Sequence, residues 1–226
     1  AVLLAAFVPT LWQLWRTPPP QVAEVAAPAG TPWAIEVLPG KAGTDAKGAT
    51  GIRVFGLQLP GATLADAHAA WGDELKVAMM ATRGEPPVLE ATVDNARTGP
   101  VSGRLLFTAD ASPQALQRWR DNALEEEPVS ADTRRIALRG VDQAEALRTP
   151  LVGIGFIPST QLDAAALRSR FGEPAEVLRG AAEVEHWMYP AKGLAVALDA
   201  RGRELLQYVA PADFERRLRA PLLRQP

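Results

Sequence analysis

The sequence predicts an α+β protein: an N-terminal membrane helix, then two tandem repeats, each with helices packed on one face of an antiparallel sheet. Three observations carry this. First, the chain repeats itself. Gly103-Arg104, Ala111, Ala115, Arg118, Trp119 and Arg120 match Gly202-Arg203, Ala210, Phe214, Arg217, Leu218 and Arg219 at an offset of 99. Self-similarity at a fixed period marks a supersecondary unit used twice. Second, Leu64, Ala67 and Trp71 match Ala164, Leu167 and Phe171 at an offset of 100, and each trio has the i, i+3, i+7 spacing of one helical face. Third, each of these helices is followed by short apolar runs of strand length bounded by turn residues.

Residues 1–16 contain no charge before Arg16 and are read as part of a spanning helix, which needs about 20 apolar residues. Trp12, Trp15 and Arg16 would lie at the membrane interface, where amphipathic rings and long basic side chains are favoured. The alternative is a cleaved signal peptide whose small-residue site would be Ala27-Pro28-Ala29. Residues 17–32 are rich in Pro and Ala and read as an extended tether.

The first repeat is assigned to residues 33–127. Extended runs are expected at 34–38 and 52–59, then a helix starting at Thr63-Leu64-Ala65-Asp66, where the threonine hydroxyl and the acid three positions on form a capping box. Strands follow at 75–82, 88–93 and 105–108. A second helix starts at Ser112-Pro113, a good cap followed by proline at the first helical position. Glu125-Glu126-Glu127-Pro128 marks the boundary.

The second repeat, residues 128–226, has extended runs at 135–138 and 151–157, the latter with Gly153 and Gly155 as sites for a bulge or a close approach. Its first helix is expected to start at Thr160, with Asp163 as the capping-box acid. That start is offset by 97 from Thr63, which implies three extra residues, close to one turn, inside the helix. Strands at 183–189, 194–198 and 204–209 include a hairpin at Asp199-Ala200-Arg201-Gly202, and a last helix begins at Pro211-Ala212-Asp213.

Composition excludes several jobs. The net charge of −2 provides no overall attraction for nucleic acid, and Arg216, Arg217, Arg219 and Arg224 read as a solvated helix face with a basic last turn. With no cysteine there is no disulfide, thiolate metal site or cysteine nucleophile in these residues. The two histidines lack partners in sequence. His68 lies beside an apolar helix stripe, and strand alternation puts His186 on the opposite face from Glu183 and Glu185. No nucleophile elbow, phosphate loop or dinucleotide fingerprint occurs. No cofactor and no metal are expected. Trp187 and Tyr189 share a strand face, with core packing and partner binding as the two readings, and Trp33 at the end of the tether is a further partner-binding candidate.

The helix ending in Phe171-Gly172-Glu173-Pro174, the strand Trp187-Met188-Tyr189 and the stretch from Val196 to Leu205 resemble the small outer-membrane lipoproteins of the BamE (SmpA/OmlA) type. Architecturally the tandem arrangement is similar to β-lactamase inhibitor proteins. The resemblance covers about a quarter of the chain, residues 160–209, and lacks the lipid-carrying cysteine. It implies helices on an antiparallel sheet, an envelope location and protein–protein work without catalysis.

The expectation is therefore a non-enzymatic binding or scaffolding protein of envelope assembly. It would be single-pass in the inner membrane, with its globular part in the periplasm, an envelope protein as partner and no nucleic acid. The alternative is a small molecule or cell-wall fragment held in the cleft between the repeats, since pockets favour such junctions.

Overall fold

A computed structural model describes residues 25–26, 34–39, 51–98, 101–123, 125–180, 183–199 and 204–224. The chain order is β1 (Val25–Ala26), β2 (Glu36–Leu38), β3 (Gly51–Val54), β4 (Leu57–Leu59), α1 (Leu64–Trp71), β5 (Lys76–Thr82), β6 (Val88–Thr98) and β7 (Val101–Ala109). There follow α2 (Pro113–Asp121), β8 (Glu126–Pro128), β9 (Thr133–Ala137), α3 (Gly140–Ala146), β10 (Leu151–Pro158) and α4 (Ala164–Phe171). The last elements are β11 (Glu176–Arg179), β12 (Glu185–Tyr189), β13 (Leu194–Leu198), β14 (Glu204–Tyr208), a π-helix at Glu215–Arg219 and α5 (Ala220–Leu223).

The strands overturn the two-repeat arrangement. Instead of one sheet per repeat, strands of both halves join in a single large, mostly antiparallel sheet in the order β11-β12-β13-β14-β10-β7-β6-β5-β9-β8, and β2-β3-β4 form a separate small sheet. The physical reason lies at β7. The β6–β7 hairpin leaves the outer edge of β7 with unpaired N–H and C=O groups, and a separate first unit would expose them. β10 pairs along that edge from Leu151↔Ala109 to Pro158↔Gly103, with an irregularity at Leu151/Gly153. Its other edge pairs with β14. Residues 125–128 are likewise no mere linker, because β8 and β9 extend the sheet beyond β5. A run of glutamates suits an edge strand, where charge discourages pairing with another chain.

The membrane expectation is corrected as well. Among the described residues no helix is long and apolar enough to cross a bilayer. The nine residues of α2 would span about 14 Å of a roughly 30 Å hydrocarbon layer. Residues 1–16, with Trp12, Trp15 and Arg16, lie outside the described residues, so a single-pass inner-membrane placement resting on an N-terminal helix has no support. Within the expected tether, Val25 and Ala26 pair in parallel with Ala96 and Arg97 of β6.

Strand alternation gives the sheet two faces. On the first, Met79, Leu89, Ala91, Val93, Leu105, Phe107, Ile154, Phe156, Trp187, Val196 and Leu206 form one buried cluster. Helices cover it at both ends. The Trp71 ring of α1 lies 5.3 Å from Phe107, and the Phe171 ring of α4 lies 6.1 Å from Tyr189. Between them sits the β3–β4 hairpin, whose Phe55 ring is 5.4 Å from Phe156 and 5.5 Å from Tyr208. Phe55 and Gly56 form its turn at φ +52° and +78°, which is why residues 52–59 are two strands instead of one extended run.

On the second face, Leu106, Ile157, Met188, Ala195, Ala197, Leu205 and Val209 pack against Phe214, Leu218 and Leu222 of the C-terminal segment. By sequence offset that segment corresponds to α2, yet Leu116 and Trp119 of α2 belong to the first face. The two closing segments matched by sequence offset lie on opposite sides of one sheet. Arg219 fastens the C-terminal segment through Glu176, with contacts of 2.7 and 3.0 Å, and Arg217 approaches Asp110 at 3.8 Å. These arginines are ion-paired, not a bare solvated face.

Candidate functional site

Because the C-terminal segment packs on the second face and α2 on the first, the second face is covered over β12–β14 and left open over β5–β7. Alternation decides what lines the opening. Val77 and Met79 of β5 turn to the first face, leaving Lys76, Ala78 and Met80 on the second. Leu89, Ala91 and Val93 of β6 do the same and leave Glu90, Thr92 and Asp94. β7 contributes Arg104, and the β8–β9 hairpin closes one end with Val129 and Arg135. The cavity is about 210 Å³. That is many times the roughly 10–15 Å³ one ordered water requires.

Register fixes the layout. Glu90 stands opposite Ala78 on one side and Thr108 on the other, while Lys76 is opposite Thr92 and Met80 is opposite both Val88 and Arg135. Arg135 therefore lies two residues to one side of the Glu90 row, and Asp94 four residues to the other. At about 3.3 Å per residue the slot runs some 20 Å along the strands. Its small floor residues, Ala78 and Thr92, give it depth.

The far end is a closed ion cluster. Lys76 Nζ donates to Asp94 Oδ2 at 3.0 Å, and Arg104 Nε lies 3.3 Å from Asp94 Oδ1. Burial pulls the Arg104 pKa down while the Asp94 carboxylate opposes it. Glu90 is different. It is 4% exposed and neither carboxyl oxygen has a hydrogen-bond partner, so burial lifts its pKa to about 8 and holds it protonated at neutral pH. A buried carboxyl without a partner costs about 1–3 kcal/mol or more, so its presence calls for a reason. Trp71 Nε1, His186 Nδ1, Gln207 Nε2 and Tyr208 Oη also lack partners, but none of these residues lines the cavity.

The residues singled out from sequence lie elsewhere. Trp187 and Tyr189 are 2% and 4% exposed and face the first-side core. Trp187 Nε1 donates to Glu185 at 3.1 Å, with the Arg168 guanidinium 4.4 Å over the ring, and Tyr189 Oη donates to the Gly172 carbonyl at 3.0 Å. These contacts are those of core packing, and the pair presents no surface to a partner. Trp33 lies outside the described residues. His68 is half-exposed on α1, while His186 is buried on the second face, where burial lowers its pKa to about 4. The seam between the two halves, β7 against β10, is filled by Leu105, Phe107, Ile154 and Phe156 on one side and by Leu106 and Ile157 on the other, so the cavity is not there.

Sequence reasoning missed Glu90, Asp94, Arg104, Lys76 and Arg135. The signal was present as the alternation Glu90-x-Thr92-x-Asp94 inside an apolar strand, which shows a strand whose second face is polar yet buried. No protein-family model, curated protein or solved structure matches this chain. The likeness of residues 160–209 to BamE-type lipoproteins therefore rests on the quoted residues alone.

Proposed function

We propose that this protein is a non-enzymatic binding module whose ligand enters the open half of the second sheet face. The observation that carries the reading is the cavity itself, lined by Lys76, Arg104 and Arg135 over the buried, unpartnered Glu90 side chain. A concave surface with a few convergent polar groups is the usual form of a ligand site. Asp94 is committed to Lys76 and Arg104, so the slot contains no second unengaged carboxylate to pair with Glu90 as acid and base.

The test is a thermal-shift survey of small carboxylates, amines, sugars and nucleotides at millimolar concentration. It compares the native protein with the cavity-filling variants Ala78→Leu and Thr92→Leu, whose folds are checked by circular dichroism. At least one compound class should raise the native Tm and lose most of that effect in a folded filled variant. Equal shifts in native and filled proteins, or none with any class, would overturn the reading.

A further inference from the structure

The charge pattern of the slot narrows its ligand, on the condition that the slot binds a ligand at all. Three cationic side chains, Lys76, Arg104 and Arg135, line it against one committed acid, Asp94. Lys76 and Arg104 share that acid, whereas Arg135 at the opposite end makes no ion pair among the described residues. Between the ends, Ala78 and Met80 offer apolar surface, and Glu90 rises from the floor. We propose that the slot takes a small organic carboxylate, lying along Ala78 and Met80 above the buried Glu90 side chain, with its charge on the Arg135 guanidinium.

The chemistry is complementary at each contact. An arginine fork matches a carboxylate, and a neutral carboxylic acid beneath the slot leaves an anion unopposed where a carboxylate would repel it. With Glu90 protonated the slot has two positive charges in excess, so an anion entering it is attracted from both ends. The groups facing Glu90 are Lys76 from β5, Thr92 and Asp94 from its own strand, Thr108 and Arg104 from β7, and Arg135 from β9. No cation from this set forms a hydrogen bond to it and its oxygens are closed to solvent, so Glu90 acts on a ligand through its charge state. Ionising it would place a negative charge against the bound anion. Binding should therefore be strong when Glu90 holds its proton and fade as the pH passes about 8.

The experiment is isothermal titration of the full chain with succinate and, separately, butylammonium at pH 6 and pH 9, with circular dichroism confirming the fold at both. The proposal expects succinate to bind about tenfold more weakly at pH 9 than at pH 6, one proton being linked to binding. Glu90→Gln, which stays neutral at every pH, should remove that pH dependence. Arg135→Gln should weaken succinate by about tenfold and keep the dependence. Butylammonium binding that tightens at pH 9, or succinate binding indifferent to Glu90→Gln and Arg135→Gln, would overturn the carboxylate assignment while leaving a binding module in place. If neither probe binds the native protein, the carboxylate assignment fails too; the binding reading falls only if the wider survey also finds nothing.

Discussion

Glu90 lies near the start of β6 with both oxygens unpartnered, and burial moves its pKa from an ordinary 4.5 to about 8. His186, on the same face at the other half of the sheet, moves from 6.5 to about 4 for the same reason. The two act on stability in opposite senses. Between pH 4.5 and 8 the folded state holds a proton on Glu90 that the unfolded chain has released, so stability falls as pH rises through that window. Between pH 4 and 6.5 the unfolded chain protonates His186 and the folded state does not, so stability falls as pH drops. Glu204, raised to about 7 by burial despite a hydrogen bond from Leu162, adds to the alkaline loss. At about 1.36 kcal/mol per pKa unit the Glu90 contribution approaches 5 kcal/mol at full ionisation. Urea unfolding of Glu90→Gln and native protein should give curves within about 1 kcal/mol of each other at pH 5. By pH 9 the variant should be ahead by about 3–5 kcal/mol. Parallel curves across the range would mean that Glu90 finds a charged partner in the folded protein.

At the scale of elements, the two matched helices show where local signals compete. α1 starts where the capping box places it: Thr63 Oγ1 accepts the Asp66 N–H at 3.4 Å and the Asp66 carboxylate accepts the Thr63 N–H at 2.7 Å. α4 does not start at Thr160. Asp163 itself is the N-cap, its Oδ1 accepting the Ala166 N–H at 2.6 Å, so α4 has the eight residues of α1 and there is no extra turn. The three additional residues lie before the helix, where the Leu162 N–H turns to Glu204 at 3.1 Å. Asp163→Ala should therefore cost about 1 kcal/mol, and Thr160→Ala less than about 0.5 kcal/mol, in urea unfolding at pH 7. The reverse order would restore the longer helix. Most strands were legible because their apolar residues alternate, as in Leu89-x-Ala91-x-Val93. α3 was not. Its N-cap, Arg139, makes no side-chain capping bond, and its contacts are tertiary: Ala146 is fully buried, and Arg118 and Trp119 of α2 reach Glu145 at 2.6 and 3.3 Å. The slot was missed for a related reason: an apolar pattern locates a strand's core side, and whether the other side is solvated or roofed depends on distant chain.

For the whole molecule, the self-similarity of the sequence does not make two bodies. An offset of 99 or 100 says which residues are alike and nothing about which strand edges meet. β9, from beyond residue 128, pairs with β5, and β10 joins β7 to β14, so each half completes the other. The likeness of α2 to the C-terminal segment also hides a crossing to the opposite face, and that crossing leaves the slot open. The seam depends on one close approach. A Cβ on Gly103 would come within 2.3 Å of the Ile157 carbonyl oxygen, 2.6 Å of Phe156 Cε2 and 2.9 Å of Pro158 Cα. Two of those three atoms are backbone, so the clash cannot be relieved by a rotamer change, and Gly103→Ala should cost about 2 kcal/mol or more. If β7 and β10 tie the halves into one cooperative unit, this single methyl group weakens both. Hydrogen exchange followed by mass spectrometry should show protection in β5–β6 and in β12–β13 falling by the same factor, about 30-fold for 2 kcal/mol. Loss confined to the strands beside Gly103, with β12–β13 unchanged, would show that the halves open independently and that the continuous sheet is two folding units sharing an edge.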